Sequence, residues 1–147
     1  MGASLEAEFR LRLAEGFLIE AREDLGLERW RACVDNSQLA VENAAKSALG
    51  LLGPVGRTHS PAPMIRQALE DGAFPDSARE AVGLIAEYAE LLGPDVHVRS
   101  DYGDEVGGLT PWELFDEDDA RQAITWAEGT VALARTLVQE ASEPKSE

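Results

Sequence analysis

The sequence predicts an all-α fold, an up-and-down bundle of four long helices plus one short helix. Three observations carry this. Apolar and small residues recur at alternating four- and three-residue steps in three separate stretches, and at four-residue steps in a fourth, which keeps one side of a helix apolar. Between the stretches stand residues that end helices: Gly26, Gly53-Pro54, Gly72 and Gly93-Pro94. Ser60-Pro61 and Asp116 followed by Glu117-Asp118-Asp119 are helix starts, with a capping side chain, a proline or acidic first turn, and then a periodic run.

The first helix is expected over 4–25, capped by Ser4, with Leu5, Phe9, Leu13, Phe17, Ala21 and Leu25 recurring at four-residue steps and Leu18 and Ala14 beside them. Gly26 breaks it, and Leu27-Glu28-Arg29 turns the chain back, so the first two helices form an antiparallel hairpin. The second, over 30–52, is the central element. Its stripe is Trp30, Val34, Ser37, Val41, Ala44, Ala48 and Leu51, widened by Cys33, Ala40, Ala45, Leu49 and Leu52. A stripe that wide needs neighbours on several sides. A short helix from Pro61 to about 72 buries Met64, Ile65, Ala68 and Leu69. The next runs from about 76 to 92 on Ala78, Val82, Ile85, Ala89 and Leu92, with the Tyr88 hydroxyl left in water. Gly16 and Gly83, inside helices, imply close helix crossings. Residues 95–115 read as a long irregular segment whose far end Trp112, Leu114 and Phe115 pin to the core. The last helix follows Asp116, with a stripe from Ala120 to Ala141 and a second apolar edge, Trp126, Leu133 and Leu137, suited to a dimer face. Residues 1–142 form one domain in this reading, and 143–147 a frayed polar tail.

A chain of 147 residues can bury one core, and 44% hydrophobic content is ordinary for a globular protein. One cysteine excludes an internal disulfide, and two histidines with it exclude the usual zinc sets, so neither metal nor cofactor is expected. Cys33, on an apolar helix side, reads as a small buried hydrophobe. No apolar run approaches membrane-spanning length, so a cytoplasmic protein with no membrane partner is expected. The net charge of −15 makes this an acidic protein that repels nucleic acid over most of its surface, and DNA is not an expected partner.

The sequence holds no glycine-rich phosphate loop with its lysine and no nucleophile elbow. Glu42 and Lys46, four residues apart, read as a surface ion pair worth about 0.2–0.5 kcal/mol. His59 either contacts a ligand or anchors its loop to the helix above, and the anchoring role is the simpler one. The run Arg99-Ser100-Asp101-Tyr102 offers a guanidinium fork, hydroxyl donors and a stacking ring for a phosphate-bearing ligand. Against that, Arg99 could be occupied by Asp101 or Asp104, with Tyr102 packed.

The run Ser37-Gln38-Leu39-Ala40-Val41-Glu42-Asn43-Ala44-Ala45-Lys46-Ser47-Ala48-Leu49, followed by Thr58-His59-Ser60, resembles the HEPN domain, an all-α family with a similar helix and loop. The resemblance implies a homodimer, with the first and last helices or the Arg99 segment near its interface. It also implies a small nucleotidyltransferase as a partner, and a nucleotide or RNA as a ligand. Ribonucleases and toxins of that family carry an arginine, a polar residue, and a histidine after some four to six residues, completing the site across the dimer. Arg99-Ser100 matches the first half, but Asp104, Glu105 and Val106 stand where the histidine should be, and His97 precedes the arginine. None of the three can act as a general acid–base at neutral pH as a histidine does. The expectation is therefore a non-catalytic HEPN-like module that dimerises and binds a nucleotide or partner, with Arg99, Ser100, Asp101, Tyr102, Glu42, Lys46 and His59 as candidate binding residues. The alternatives are a toxin-like ribonuclease with a degenerate site, or an unrelated helical interaction protein.

Overall fold

In a computed structural model, which describes residues 2–143, every regular element is a helix; the remaining pairing among those residues is one isolated bridge, Asp104 to Leu109. The helices are α1 (Gly2–Gly26), α2 (Trp30–Gly50), α3 (Pro61–Glu70), α4 (Asp76–Leu91), α5 (Pro94–Tyr102), α6 (Pro111–Leu114) and α7 (Glu117–Ser142). Four are long, as expected. No helix among the described residues is long and apolar enough to cross a membrane. Residues 144–147 of the expected tail lie outside the described residues, and α7 itself continues to Ser142.

α2 is the centre: α1, α3, α4, α5, α6 and α7 all pack on it. From Ala40 to Gly50 every residue is buried, so the helix is covered on all sides over these turns. Its direction opposes that of α1, since Gly50 at its end lies on Ala7 near the start of α1. A Cβ at position 50 would sit 2.9 Å from the Ala7 nitrogen, so glycine is what lets these backbones meet. This is where the close crossing falls. Gly16 and Gly83, expected to mark such crossings, have no neighbour within 4 Å of a built Cβ. α7 closes the bundle beside α2 and α1, starting from a capping box in which Asp116 accepts from the Asp119 nitrogen at 3.0 Å and Asp119 accepts from the Asp116 nitrogen at 3.0 Å.

Other sequence expectations are corrected. The buried side of α1 is Ala7, Leu11, Ala14, Leu18 and Ala21, a four-three series, while Leu5 and Phe9 are exposed. α1 begins at Gly2, so Ser4 lies within the helix and not at its start. A strict four-residue step drifts about 40° per step on a helix of 3.6 residues per turn, so the larger side chains spiral off the core side. In α3 Ile65 and Ala62 are buried but Met64 is exposed, and Ala68 and Leu69 are half-buried. In α7 Leu137 is buried, and Trp126 and Leu133 are half-buried with one side on the core.

The largest correction is the segment 95–115. It holds α5 and α6. Pro94 occupies the first turn of α5, Asp95 complements its N-terminal dipole and Arg99 its C-terminal one, and the helix ends at Gly103 with φ 76°. A side chain there would run into the Leu109 carbonyl, where the bridge closes the following turn. α6 starts from a second capping box, Thr110 with Glu113.

Candidate functional site

α5 divides the run Arg99 to Tyr102 between two faces. His97, Ser100 and Asp101 stand at i, i+3 and i+4 and turn toward α2. Ser100 is fully buried, and its Oγ lies 3.0 Å from Asp35 Oδ1 and 2.8 Å from the His97 carbonyl. His97 Nδ1 is 2.8 Å from Asp35 Oδ1, and its Nε2 is 3.6 Å from Asp101 Oδ2. Arg31 Nη1 donates to the Ser100 carbonyl at 3.0 Å, lies 3.6 Å from Asp101 Oδ1, and its guanidinium sits 5.6 Å from the Trp112 ring centre. These contacts dock α5 on α2.

Arg99 and Tyr102, three residues apart, share the other face, and both are exposed. Among the described residues Arg99 makes no ion pair. The carboxylates that could have taken it are engaged elsewhere: Asp101 faces Arg31 and His97, and Asp104 accepts from the Gly107 nitrogen at 3.0 Å. Tyr102 is 70% exposed, too open to be a packed core ring.

Glu42, Lys46 and His59 meet at a second place. The Glu42–Lys46 pair is buried, each residue 5% exposed, with 3.2 Å between Nζ and Oε2. It is not the surface pair that its spacing suggests, because α2 is enclosed on every side over these turns. Gln38 Nε2 approaches Glu42 Oε1 at 3.5 Å, and exposed His59 places Nδ1 3.4 Å from Oε2. Gln38 Oε1 is buried with no hydrogen-bond partner among the described residues. Turning the amide over would set oxygen against the Glu42 carboxylate, so the orphaned acceptor is the lesser cost.

Gln38, Glu42 and His59 line a cleft of about 240 Å³, closed on the far side by Glu90, Gly93 and Asp95. Two hydrogen bonds from Arg66, at 2.8 and 3.2 Å, hold the Glu90 carboxyl below its usual range. Asp95 lies one turn before Arg99 on the same side of α5, so the exposed arginine stands about 6 Å along the helix from the cleft rim. The seven residues singled out in the sequence thus fall in three groups. Ser100 and Asp101 belong to the docking contacts, Arg99 and Tyr102 to the open face, and Glu42 and His59 to the cleft, with Lys46 buried against Glu42 and not lining it.

Sequence reading missed Arg31, Asp35, Gln38 and Asp95. A signal existed for three of them: Arg31, Asp35, Gln38 and Glu42 step by four, three and four along α2, a polar stripe beside the apolar one.

The HEPN domain model matches residues 7–137. No curated protein matches the sequence. Among solved structures the chain is similar to the crystal structure of TT1696 from Thermus thermophilus, with a TM-score of 0.65 at 20% identity over 92% of this chain and 98% of that one. At that identity the likeness speaks for the fold, and it agrees with the all-helical arrangement described above. The family match covers the central helix, the cleft and α5 together, and on that ground the chain belongs to the HEPN domain family.

Proposed function

We propose that residues 1–142 act as a single, cytoplasmic, non-catalytic HEPN module, which dimerises and binds a nucleotide or a partner protein through the outer face of α5. The observation that carries this is an arginine with no carboxylate partner among the described residues, beside an exposed tyrosine, in a chain of net charge −15. Arg12, Arg29 and Arg57 also make no ion pair among the described residues; what sets Arg99 apart is Tyr102 one turn away, which supplies a ring for a base or a hydroxyl donor for a phosphate beside the guanidinium fork. A small nucleotidyltransferase is the partner class that the family suggests.

A ribonuclease reading has one observation in its favour, the His97 imidazole held by Asp35 at 2.8 Å. Yet residues two apart on a helix point about 200° away from each other, so His97 and Arg99 do not face one substrate within a chain. The non-catalytic reading is preferred for that reason and for the missing histidine after Arg99.

Calorimetry with ATP on wild type and Arg99→Ala tests the binding. A charged hydrogen bond contributes about 1.5–3 kcal/mol, so the variant is expected to bind roughly tenfold to a hundredfold more weakly. Binding unchanged in Arg99→Ala excludes this face. RNA cleavage by the wild type that vanishes in His97→Ala refutes the non-catalytic reading. Sedimentation at micromolar concentration is expected to show twice the 15.9 kDa chain mass, and a monomer throughout would remove the dimer.

A further inference from the structure

The contacts that dock α5 on α2 leave one gap. Asp35 Oδ1 lies 2.8 Å from His97 Nδ1, and since a carboxylate only accepts, that nitrogen carries a hydrogen and donates it. The other ring nitrogen, Nε2, then presents a lone pair to Asp101 Oδ2 at 3.6 Å. In the neutral ring these are two acceptor atoms facing each other. That separation is close to the roughly 3.3 Å that two ligands subtend on a tetrahedral ion with bonds of about 2.0–2.1 Å.

We infer that His97 Nε2 and Asp101 Oδ2 bind a divalent transition-metal cation of the zinc class, with Asp35 as the carboxylate that orients the imidazole. One ligand atom from each of Asp35, His97 and Asp101 lies within 4.8 Å of the others, and the three come from two helices locked together by Ser100 and Arg31. The i, i+4 spacing of His97 and Asp101 puts both ligands on one side of one turn. A carboxylate on the far nitrogen of a metal-binding histidine fixes its tautomer and makes it a stronger ligand, and Asp35 stands in that position.

Charge permits the ion. Arg31 lies 3.6 Å from Asp101 Oδ1 and leaves Oδ2 turned to His97, so of two carboxylates and one guanidinium a single negative charge remains uncompensated. Access permits it too: the side chains of His97 and Asp101 are 36% and 37% exposed. The imidazole nitrogen favours zinc, cobalt or nickel over magnesium or calcium, which prefer all-oxygen sites. This is not a cysteine–histidine zinc set, and it does not depend on ligand binding at Arg99.

The test uses the full chain in a non-chelating buffer, titrated with zinc by calorimetry and with cobalt(II) by visible absorption. One ion per chain is expected, with cobalt absorption of a nitrogen–oxygen site, and no competition from a tenfold excess of magnesium. Asp101→Asn keeps the shape and the His97–Asp35 contact, and should weaken zinc at least tenfold. His97→Ala should abolish stoichiometric binding, and Asp35→Asn should weaken it about tenfold to a hundredfold. Melting temperatures without metal check that each variant is folded; if His97→Ala is not, Asp101→Asn decides. A wild type that binds no zinc overturns the site. Binding that survives both Asp101→Asn and His97→Ala shows scattered capture by an acidic surface and overturns it equally.

Discussion

Removing the Lys46 ammonium would strand a carboxylate inside the bundle. In the native chain Glu42 is 5% exposed and receives Nζ at 3.2 Å; its other neighbours, the Gln38 amide at 3.5 Å and His59 Nδ1 at 3.4 Å, lie beyond the distance of a good hydrogen bond. Lys46→Met keeps the length and apolar stem of the side chain and deletes the charge. Breaking a buried pair from one side costs about 3–5 kcal/mol, because the remaining ion is neither solvated nor paired. A surface pair would cost about 0.2–0.5 kcal/mol, so the two descriptions differ tenfold and one measurement separates them. Against a total stability of about 5–15 kcal/mol the loss is severe. For a domain of this size it lowers the melting temperature by roughly 10 °C.

The assay is guanidinium unfolding followed by far-UV circular dichroism, with a calorimetric melt beside it. Replacing both partners, Glu42→Gln with Lys46→Met, removes the uncompensated charge and should recover more than half of the loss, since an apolar or neutral substitute for a buried pair is often neutral. A single-variant loss under about 1 kcal/mol would refute the reasoning, and so would a double variant no more stable than Lys46→Met. Either result would mean that water in the cleft solvates Glu42 well enough to make the pair incidental.

Gly50→Ala should destabilise by about 1–3 kcal/mol although alanine is the better helix former, because the new methyl meets the Ala7 backbone at 2.9 Å and 3.0 Å; thermal melts check it, with Gly83→Ala, where nothing lies within 4 Å, expected to gain up to about 1 kcal/mol. Cys33 is fully buried, and desolvation pushes its thiol from an ordinary 9.0 up to about 11, so native protein should resist alkylation near pH 8 that unfolded protein undergoes. The folded thiol holds its proton more tightly than the unfolded one, so its contribution is complete below pH 9.0 and is lost as pH rises to about 11. That loss amounts to roughly 2–3 kcal/mol, and Cys33→Ala should show a correspondingly flatter decline over the same range.

Where the periodic signal is long, the sequence is informative. α2, α4 and α7 begin and end within two residues of where Gly53-Pro54, Pro75, Gly93-Pro94 and Asp116 place them. The position of α1 is legible but its rotation is not, because its large residues step by four while its alanines, which carry little hydrophobic weight, mark the buried side. The segment 95–115 is hard to read for a different reason. α5 is nine residues long, too short for periodicity to register, and its sequence mixes Val96 and Val98 with charge. Its helical character lies in its ends, Pro94 and Asp95 at one and Arg99 and Gly103 at the other, and the glycine that suggests a loop is a helix stop.

That difference decides what can be said of the binding residues. In an irregular loop four consecutive side chains can converge on one ligand; in a helix they fan out by about 100° each, and Arg99 to Tyr102 cannot all face the same way. Once the helix is in place, the partners of Ser100 and Asp101 are found on α2, at Asp35 and Arg31, some 65 and 70 residues earlier in the chain. Nothing local in the sequence pairs them. The same holds for Glu42 and Lys46, whose four-residue spacing is shared by surface and buried pairs alike. What separates the cases is coverage: α2 lies under six other helices, so each of its buried polar residues must find a partner inside the protein or leave a group unsatisfied, as Gln38 does. In the polar stripe of Arg31, Asp35, Gln38 and Glu42 the second pair is buried and the first half-buried, and each charge has its partner, Lys46 on α2 itself for Glu42 and α5 for Arg31 and Asp35, none of which a local sequence window shows.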